Sequence, residues 1–328
     1  MFLALFGAVE SGAIYAIMAL GVYLSFRVLD FPDLTVDGSF VTGAAVAAIS
    51  IINGVPPIVA TILGAVAGFV AGCITGILHT KGKINALLSG ILMMIALYSI
   101  NLRIMQSPQL SLLNETTIKT QITNAWEKTG IDQMFNQVLS AIGLERFPST
   151  WSIVIVMLIV IFIIKFIADY FLKTEVGIAL RATGDNQKMI RSFSANTDML
   201  IILGIGISNG LVALSGALIA QHGGFADVGM GIGMIIIGLA SVIIGEALFG
   251  SKTVARATLA VVLGAIIYRI VVTLALRVEF LDTGDMKLIT ALLVIVALVA
   301  PKMLQARRER QRRLKKRSKL QKGGTHNA

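Results

Sequence analysis

The segment "LDFPDLTVDGSF", residues 29–40, interrupts two strongly apolar stretches of this sequence. It contains a proline, a glycine and three carboxylates, Asp30, Asp33 and Asp37. Proline does not continue a helix, because it lacks the backbone N–H and clashes with the preceding turn. A helix that stops inside an apolar chain predicts a broken membrane helix, which lipid tolerates only where the break lines a protein-enclosed cavity.

The composition of the chain also indicates a membrane protein. Of its 328 residues, 56% are hydrophobic and only 14% are charged, whereas soluble domains contain about 25% charged residues. We therefore predict an all-α, polytopic membrane helix bundle of about eight to ten spans, since a span needs about 20 apolar residues. Nine apolar segments reach or approach that length: 3–25, 39–54, 57–79, 84–105, 149–172, 198–221, 229–249, 257–276 and 286–301.

The net charge of +10 lies entirely in the C-terminal tail. Residues 301–328 contain eleven Lys or Arg and one acid, Glu309, whereas residues 1–300 carry equal numbers of basic and acidic side chains. Basic residues next to membrane spans favour the cytoplasmic side. We predict a membrane domain over 1–301, an external segment at 107–148, and a cytoplasmic tail at 302–328 that contacts anionic lipid rather than nucleic acid.

The sequence lacks the usual signatures of catalytic sites. It contains no G-x-x-x-x-G-K-[ST] motif, so it cannot form a P-loop around ATP phosphates. Its three histidines are far apart and Cys73 is its one cysteine, so we predict no metal site, no disulfide and no cofactor. The segment "GISNG", 206–210, matches a hydrolase motif that requires a strand-to-helix turn, but it lies in a predicted membrane helix. We predict that the chain is not an enzyme.

Ionisable residues inside membrane spans are costly, and they usually face the bundle interior or a water-filled path. We expect Lys165 to extend its ammonium group towards the membrane surface, and Arg269 either to do the same or to be functional. Asp33 and Asp37 can also cap a following helix, and this role is compatible with lining a path. The predicted pathway residues are Glu10, Tyr15, Asp33, Thr35, Asp37, Phe225 and Asp227.

A short internal similarity relates two parts of the chain. "FPDLTVDGSF" at 31–40 and "FADVGMGIGM" at 225–234 share Phe-x-Asp followed by an aliphatic residue, and each follows a long apolar span. The predicted topology gives these two preceding spans opposite directions, as an inverted repeat requires. Two explanations of so short a match remain open: the two halves of the chain are homologous, or the similarity arose by chance.

The loop "KTEVGIALRATGDNQKMIRSFSANTDM", 173–199, has helical periodicity on both sides of a Gly-Asp-Asn break. Asn196, Thr197 or Asp198 can cap the next span. A short amphipathic helix at the membrane surface either docks a soluble partner or lies on the lipid, and the residues alone do not separate these two roles.

Three segments together resemble one family: "LDFPDLTVDGSF", "GIALRATGDNQKMIRSFSANTD" and "LSGALIAQHGGFADVGMGIGMIIIGLASVIIGE". They are similar to permease subunits of ATP-binding-cassette importers of the branched-chain amino acid permease superfamily. Within it, they resemble the branch that works with lipoprotein receptors for aromatic amino acids and related molecules. The similarity extends over nearly the whole membrane region, but not over 107–148 or the tail.

The resemblance implies a role for the loop 173–197, because the equivalent segment of the family contains the helix that couples to the ATPase. The implied coupling residues are Arg181, Gly184, Asp185, Asn186 and Arg191. The implied partners are separate ATP-binding subunits, an extracytoplasmic solute-binding lipoprotein, and a second permease copy or a paralogue. The implied protein is a permease of an ATP-driven importer in the plasma or inner membrane, for an amino acid or a related solute.

Two other functions remain open from the residues alone. An ion-coupled secondary transporter would use Glu10 and Asp37 as proton or cation sites. A receptor-like membrane scaffold would instead use the basic tail as its binding element. The sequence does not identify the solute.

Overall fold

The computed structural model describes residues 2–128, 150–193 and 195–275, together with the isolated positions 132, 148, 288, 291, 292, 295 and 299. The elements are α1 (Phe2–Val22), a π-helix (Tyr23–Val28), α2 (Thr35–Ile52), α3 (Pro57–Thr80), α4 (Ala86–Met105), β1 (Gln109–Ser111), α5 (Ile118–Glu127), α6 (Ser152–Lys173), α7 (Glu175–Ser192), α8 (Thr197–Gly223), β2 (Phe225–Asp227), a 3-10 helix (Val228–Gly231), α9 (Met234–Phe249) and α10 (Val254–Ala275).

Eight helices in the described residues are long and apolar enough to cross a membrane, which confirms the predicted all-α, multi-span bundle. The second span begins at Thr35 rather than at residue 39, because polar residues are well tolerated in the first turn of a helix. The predicted segment 286–301 falls largely outside the described residues, and the tail at 302–328 falls entirely outside them.

The longest helix, α8, lies at the centre of the bundle against α1, α2 and α3. Ser215 Oγ donates to the carbonyl oxygen of Ile14 at 2.9 Å, and Ser208 Oγ donates to that of Gly21 at 2.7 Å. Because the higher number in α8 pairs with the lower number in α1, the two helices are antiparallel. This is the relation that the predicted inverted repeat requires of the spans before its two motifs.

Small residues allow α3 to lie close against α8. Gly64, Gly68, Gly72 and Gly76 recur every four residues, and a Cβ atom added at any of them would meet atoms of α8. Such a stripe brings two helix backbones together in lipid, where dispersion contacts rather than hydrophobic burial hold helices. The dense glycines of the sequence are thus used for packing at this interface.

The two ends of the bundle are built differently. At one end, which we call the strand end, β1 pairs antiparallel with β2, with Leu110 opposite Ala226. There Ile118 N–H also donates to Gln221 Oε1 at 3.0 Å, which joins α5 to α8. At the other end, the α7 end, α7 packs beside the last turn of the π-helix. Sequence analysis predicted no strands, because two three-residue strands more than a hundred residues apart leave no local pattern.

We predict that Gly43→Ala destabilises the bundle, because the added Cβ would overlap the carbonyl oxygen of Ala213. Forcing extra volume into a packed core costs about 1–3 kcal/mol. Thermal unfolding of the purified protein in detergent should show a lower midpoint for this variant. The matched control is Gly7→Ala, since no heavy atom lies within 4 Å of a Cβ at Gly7. Equal midpoints for the two variants would contradict the packing assigned to α2 and α8.

Candidate functional site

The break at residues 29–34 runs from the α7 end of the bundle, where Leu29 packs on Gly184, into the interior, where Asp33 is fully buried. The π-helix ends at Val28, and Phe31 N–H then donates back to the carbonyl oxygen of Ser25 at 2.9 Å. Asp30 has a φ of 51°, a left-handed conformation that aspartate adopts more readily than most residues. The chain therefore reverses direction within six residues and enters α2 at Thr35.

Asp33 fixes this break to the centre of the bundle. Its side chain is fully buried; Oδ1 accepts from Thr35 N–H at 2.9 Å and Oδ2 accepts from Asn209 Nδ2 at 2.6 Å. Asn209 is near the middle of α8. The hydroxyl of Thr35 lies 2.8 Å from that of Thr75 on α3. Burial raises the pKa of the Asp33 carboxyl above its ordinary value, and the hydrogen bonds from Thr35 and Asn209 oppose this shift.

Asp37 joins the two similar motifs of the sequence to each other. Although it lies in the first turn of α2, its carboxylate caps α9: Oδ2 accepts from Gly233 N–H at 2.9 Å and Oδ1 accepts from Ile235 N–H at 2.8 Å. The first N–H groups of a helix have no partner within the helix, and they carry partial positive charge. Gly231 packs directly on the backbone of Asp37, where a Cβ would overlap the carbonyl oxygen. Both α2 and α9 thus begin inside the bundle.

A groove next to this junction, which we call the Asp37 groove, has a volume of about 460 Å³. Asn101 donates from Nδ2 to the carbonyl oxygen of Gly38 at 3.2 Å, while its buried Oδ1 has no hydrogen-bond partner in the described part of the chain. Polar and apolar side chains therefore face the same space. The lining residues are Asp37, Gly38, Val41, Met94, Ile95, Tyr98, Ser99, Asn101, Val228, Gly231 and Ile232.

A second space, which we call the Arg269 cavity, lies on the other side of the segment 228–234 and has a volume of about 310 Å³. Two predicted pathway residues, Tyr15 and Phe225, line it. The Tyr15 ring stacks on Phe40 with 6.1 Å between centroids. The other lining residues are Ile219, Gly223, Met230, Met234, Ile237, Tyr268, Arg269 and Val272.

The predicted pathway residues are not brought together at one place. Glu10 lies towards the strand end, with Oε1 3.5 Å from Nδ1 of His222. Asp227 accepts from Gly229 N–H at 2.7 Å and so starts the 3-10 helix. Asp33 and Thr35 are fully buried between helices. Of the seven, Asp37 lines the Asp37 groove, and Tyr15 and Phe225 line the Arg269 cavity.

The predicted coupling segment forms two helical pieces, as the helical periodicity on both sides of its Gly-Asp-Asn break predicts. Asn186 interrupts α7 with non-helical backbone angles, and its side chain accepts from Met189 N–H at 3.1 Å. Asp185 is exposed, whereas Gly184 faces the bundle, where a Cβ would overlap the carbonyl oxygen of Val28. The segment therefore contacts the membrane domain at the residue that precedes the break.

The two arginines of the predicted coupling set have different surroundings. Arg181 is exposed on α7. Arg191 donates from Nε to the hydroxyl of Thr197 at 2.8 Å and forms an ion pair with Asp198. It therefore ties the end of α7 to the start of α8. Asn196, one of three candidate caps in the sequence, caps α8 by accepting from Met199 N–H at 3.1 Å.

The prediction for Lys165 is wrong. Its ammonium group does not reach the membrane surface but is buried, where it forms an ion pair with Asp169 one turn later on α6. Thr258 of α10 donates a hydrogen bond to the same carboxylate. A buried charge that keeps a partner avoids the large cost of an isolated ion, and a partner four residues away was visible in the sequence.

Sequence reasoning also missed Asn209, Asn101 and Tyr98. Asn209 belongs to "GISNG", a segment that matches a hydrolase motif and lies in a glycine-rich span. An amide side chain inside an apolar span is a signal in itself, because it needs a hydrogen-bond partner there. In the described part of the chain, no three His, Cys, Asp or Glu side chains are grouped in an arrangement that would hold a metal ion.

Comparison with known proteins matches this sequence to one family. The model of the family "Branched-chain amino acid transport system / permease component" matches residues 4–299. The tyrosine transport system permease protein of Clostridioides difficile (strain R20291) is 42% identical over 285 residues, which cover 87% of each chain. Uncharacterized protein RP368 of Rickettsia prowazekii (strain Madrid E) is 33% identical over 299 residues, 90% of this chain and 96% of the other. No solved structure matches significantly. The chain belongs to the permease component family of branched-chain amino acid transport systems.

Proposed function

We propose that this chain is the transmembrane permease subunit of an ATP-driven importer for an amino acid or a related small solute. Membership of the permease family supports transport, and the 42% identical relative is named for tyrosine transport. The sequence contains no P-loop, so ATP hydrolysis takes place in separate subunits. The solute is an aromatic amino acid or a close relative of one.

One contact carries this proposal: Gly184 of α7 packs on the backbone of Val28 and Leu29. A movement of α7 is therefore passed to the residues that enter the break. From there the path continues through Asp33 to Asn209 in α8, and through Asp37 to the start of α9. Tightly packed backbones transmit a displacement because they cannot absorb it.

The proposal assigns a side of the membrane and partners to each end of the bundle. The ATP-binding subunits dock on the exposed residues of α7 around Asp185, so the α7 end and the C-terminus are cytoplasmic. The solute-binding lipoprotein delivers its solute to the strand end. A second permease copy or a paralogue faces the Asp37 groove, and α4 beside this groove exposes apolar side chains that include Ile95 and Tyr98.

The geometry of Asp37 favours this function over an ion-coupled secondary transporter. Each of its carboxylate oxygens already accepts a backbone N–H, which suits a fixed structural anchor. A proton carrier must instead exchange its proton with water during transport. The decisive experiment is uptake of L-tyrosine into vesicles reconstituted with the permease, its ATPase and its receptor. The proposal expects uptake to require ATP hydrolysis, and uptake that persists without the ATPase would overturn it.

We predict that Asp37→Ala reduces uptake strongly, and that Asp37→Asn has a smaller effect. Alanine removes both acceptors from the start of α9, whereas asparagine keeps one oxygen and turns an NH₂ group towards the other N–H. Loss of a helix cap costs about 0.5–2 kcal/mol, which the packed bundle tolerates while the groove changes shape. The measurement is the initial uptake rate divided by the abundance of the permease. The control variant is Glu127→Gln, because Glu127 is exposed on α5. Equal, undiminished rates in both Asp37 variants would contradict the role of this junction.

We predict that Asp185→Lys weakens binding of the ATPase about tenfold or more without unfolding the permease, because Asp185 is exposed on α7 and reversing a charge in the proposed interface removes charge complementarity. Pull-down of the ATPase by tagged permease measures the effect. Glu127→Lys, the same reversal on an exposed residue near the strand end, should leave binding unchanged.

Gly184→Ala provides a second test of this coupling segment, because Gly184 faces the bundle. This variant should keep ATPase binding but lower the transport obtained per ATP hydrolysed, since the added methyl group separates α7 from Val28. The assignment is wrong if Asp185→Lys still pulls down as much ATPase as the parent and Gly184→Ala still transports as much solute per ATP hydrolysed. In that case α7 does not couple the permease to the ATPase.

A further inference from the structure

Arg269 occupies an unusual position for a charged residue of a membrane protein. It lies in the second half of α10, a predicted span, and its side chain lines the Arg269 cavity between α1, α8 and α9. Charged residues inside a membrane bundle normally pair with an opposite charge. Lys165 follows this rule through its ion pair with Asp169.

Arg269 does not follow this rule in the described part of the chain, where no carboxylate lies within 4 Å of its guanidinium group. Its Nε donates to the hydroxyl of Ser11 at 3.1 Å, and its Cζ lies 4.9 Å from the centre of the Tyr15 ring. Glu10, one residue before Ser11, is directed to His222 instead. A guanidinium group has five N–H donors, so most of its donors are available for a ligand.

The remaining walls of the Arg269 cavity are suited to an aromatic ring of a ligand. Phe225, Met230 and Met234 present aromatic and thioether surfaces, and methionine sulfur makes favourable contacts with aromatic rings. The volume of about 310 Å³ is at the lower end of the range for small-molecule sites, roughly 300–1,000 Å³. An apolar pocket with a single cationic group thus fits a small molecule that has one carboxylate and one aromatic group.

We propose that the Arg269 cavity is a solute-binding site within the permease, where Arg269 binds the carboxylate and the Phe225–Met230–Met234 wall contacts an aromatic side chain. This inference rests on the proposed importer function and adds a site and a recognition chemistry to it. Arginine binds carboxylates through two parallel N–H···O bonds, which gives directional as well as charge selectivity.

The Arg269 cavity adjoins the segment 228–234, which Asp37 connects to the start of α2. Met230 and Met234 line the Arg269 cavity, while Gly231 and Ile232 between them line the Asp37 groove. The segment 228–234 is therefore a thin wall between the two spaces, and Asp37 holds its end through Gly233 N–H. A solute in the cavity contacts the same wall that must move for the solute to enter the groove.

The test measures ligand binding to the purified full-length permease in lipid nanodiscs. The ligands are L-tyrosine, 3-(4-hydroxyphenyl)propanoate, which lacks the amine, and tyramine, which lacks the carboxylate. We expect both acids to bind and tyramine to bind at least tenfold more weakly. Binding of tyramine equal to that of the acids, or no binding of either acid, would overturn the assignment. This comparison uses the unaltered chain, so it holds even if a variant fails to fold.

Variants then locate the site. Arg269→Gln should weaken binding of both acids tenfold or more, and Arg269→Lys should weaken it less, because lysine keeps the charge but not the paired donors. Arg103→Gln, an exposed arginine near the strand end on α4, should bind like the parent. Parental binding by a folded Arg269→Gln protein would refute the site.

Measurements of uptake distinguish a failure of the proposed binding site from a failure of the proposed importer function. If Arg269→Gln imports L-tyrosine at the parental rate with ATPase and receptor present, the importer stands and the binding site is wrong. If the parent shows no ATP-dependent uptake but binds both acids through Arg269, the proposed function is wrong and the site stands.

Discussion

The carboxylate of Asp37 is the contact on which the centre of this molecule depends. A helix that starts inside a membrane bundle exposes N–H groups which neither water nor lipid can satisfy. Asp37 accepts from two of these groups, on Gly233 and Ile235, although it belongs to another helix. The cap thus allows α9 to begin inside the bundle, and it fixes α9 to the start of α2. Two interrupted elements thereby share one junction, and both spaces in the candidate site adjoin it.

The other parts of the fold hold this junction in place. Asp33 ties the break to Asn209 in α8, and the glycine stripe of α3 brings α8 close on the other side. At the α7 end, Gly184 packs on Val28 immediately before the break. In lipid, such contacts depend on close approach and satisfied hydrogen bonds rather than on hydrophobic burial. The bundle is therefore tightly packed around the junction, and the Asp37 groove and the Arg269 cavity lie beside it.

Two cations inside the bundle, the buried Lys165 and the half-buried Arg269, show how differently a membrane protein treats charge. Lys165 is neutralised within its own helix by Asp169, and Thr258 completes the hydrogen bonding of that carboxylate. This arrangement keeps the buried charge paired. Arg269, by contrast, has a hydroxyl and an aromatic face as partners and borders a cavity. The same class of residue is structural in one place and a candidate ligand group in the other, and the difference lies in the partners that the fold supplies.

The sequence alone determined the class of the protein, because span length and the scarcity of charge depend only on local composition. It also located the break through Pro32, the interruption of α7 to within Gly184–Asn186 and the cap of α8 to within Asn196–Asp198, since each depends on neighbouring residues. The tertiary structure alone decided where those elements meet. Asp37 caps α9 rather than its own helix, which is a contact between residues distant in sequence. Lys165 is buried because of the way whole helices pack around it. The spacing of Lys165 and Asp169 is visible in the sequence, but neither the burial of this pair nor the Asp37 cap leaves a local pattern, because both are set by how the helices pack.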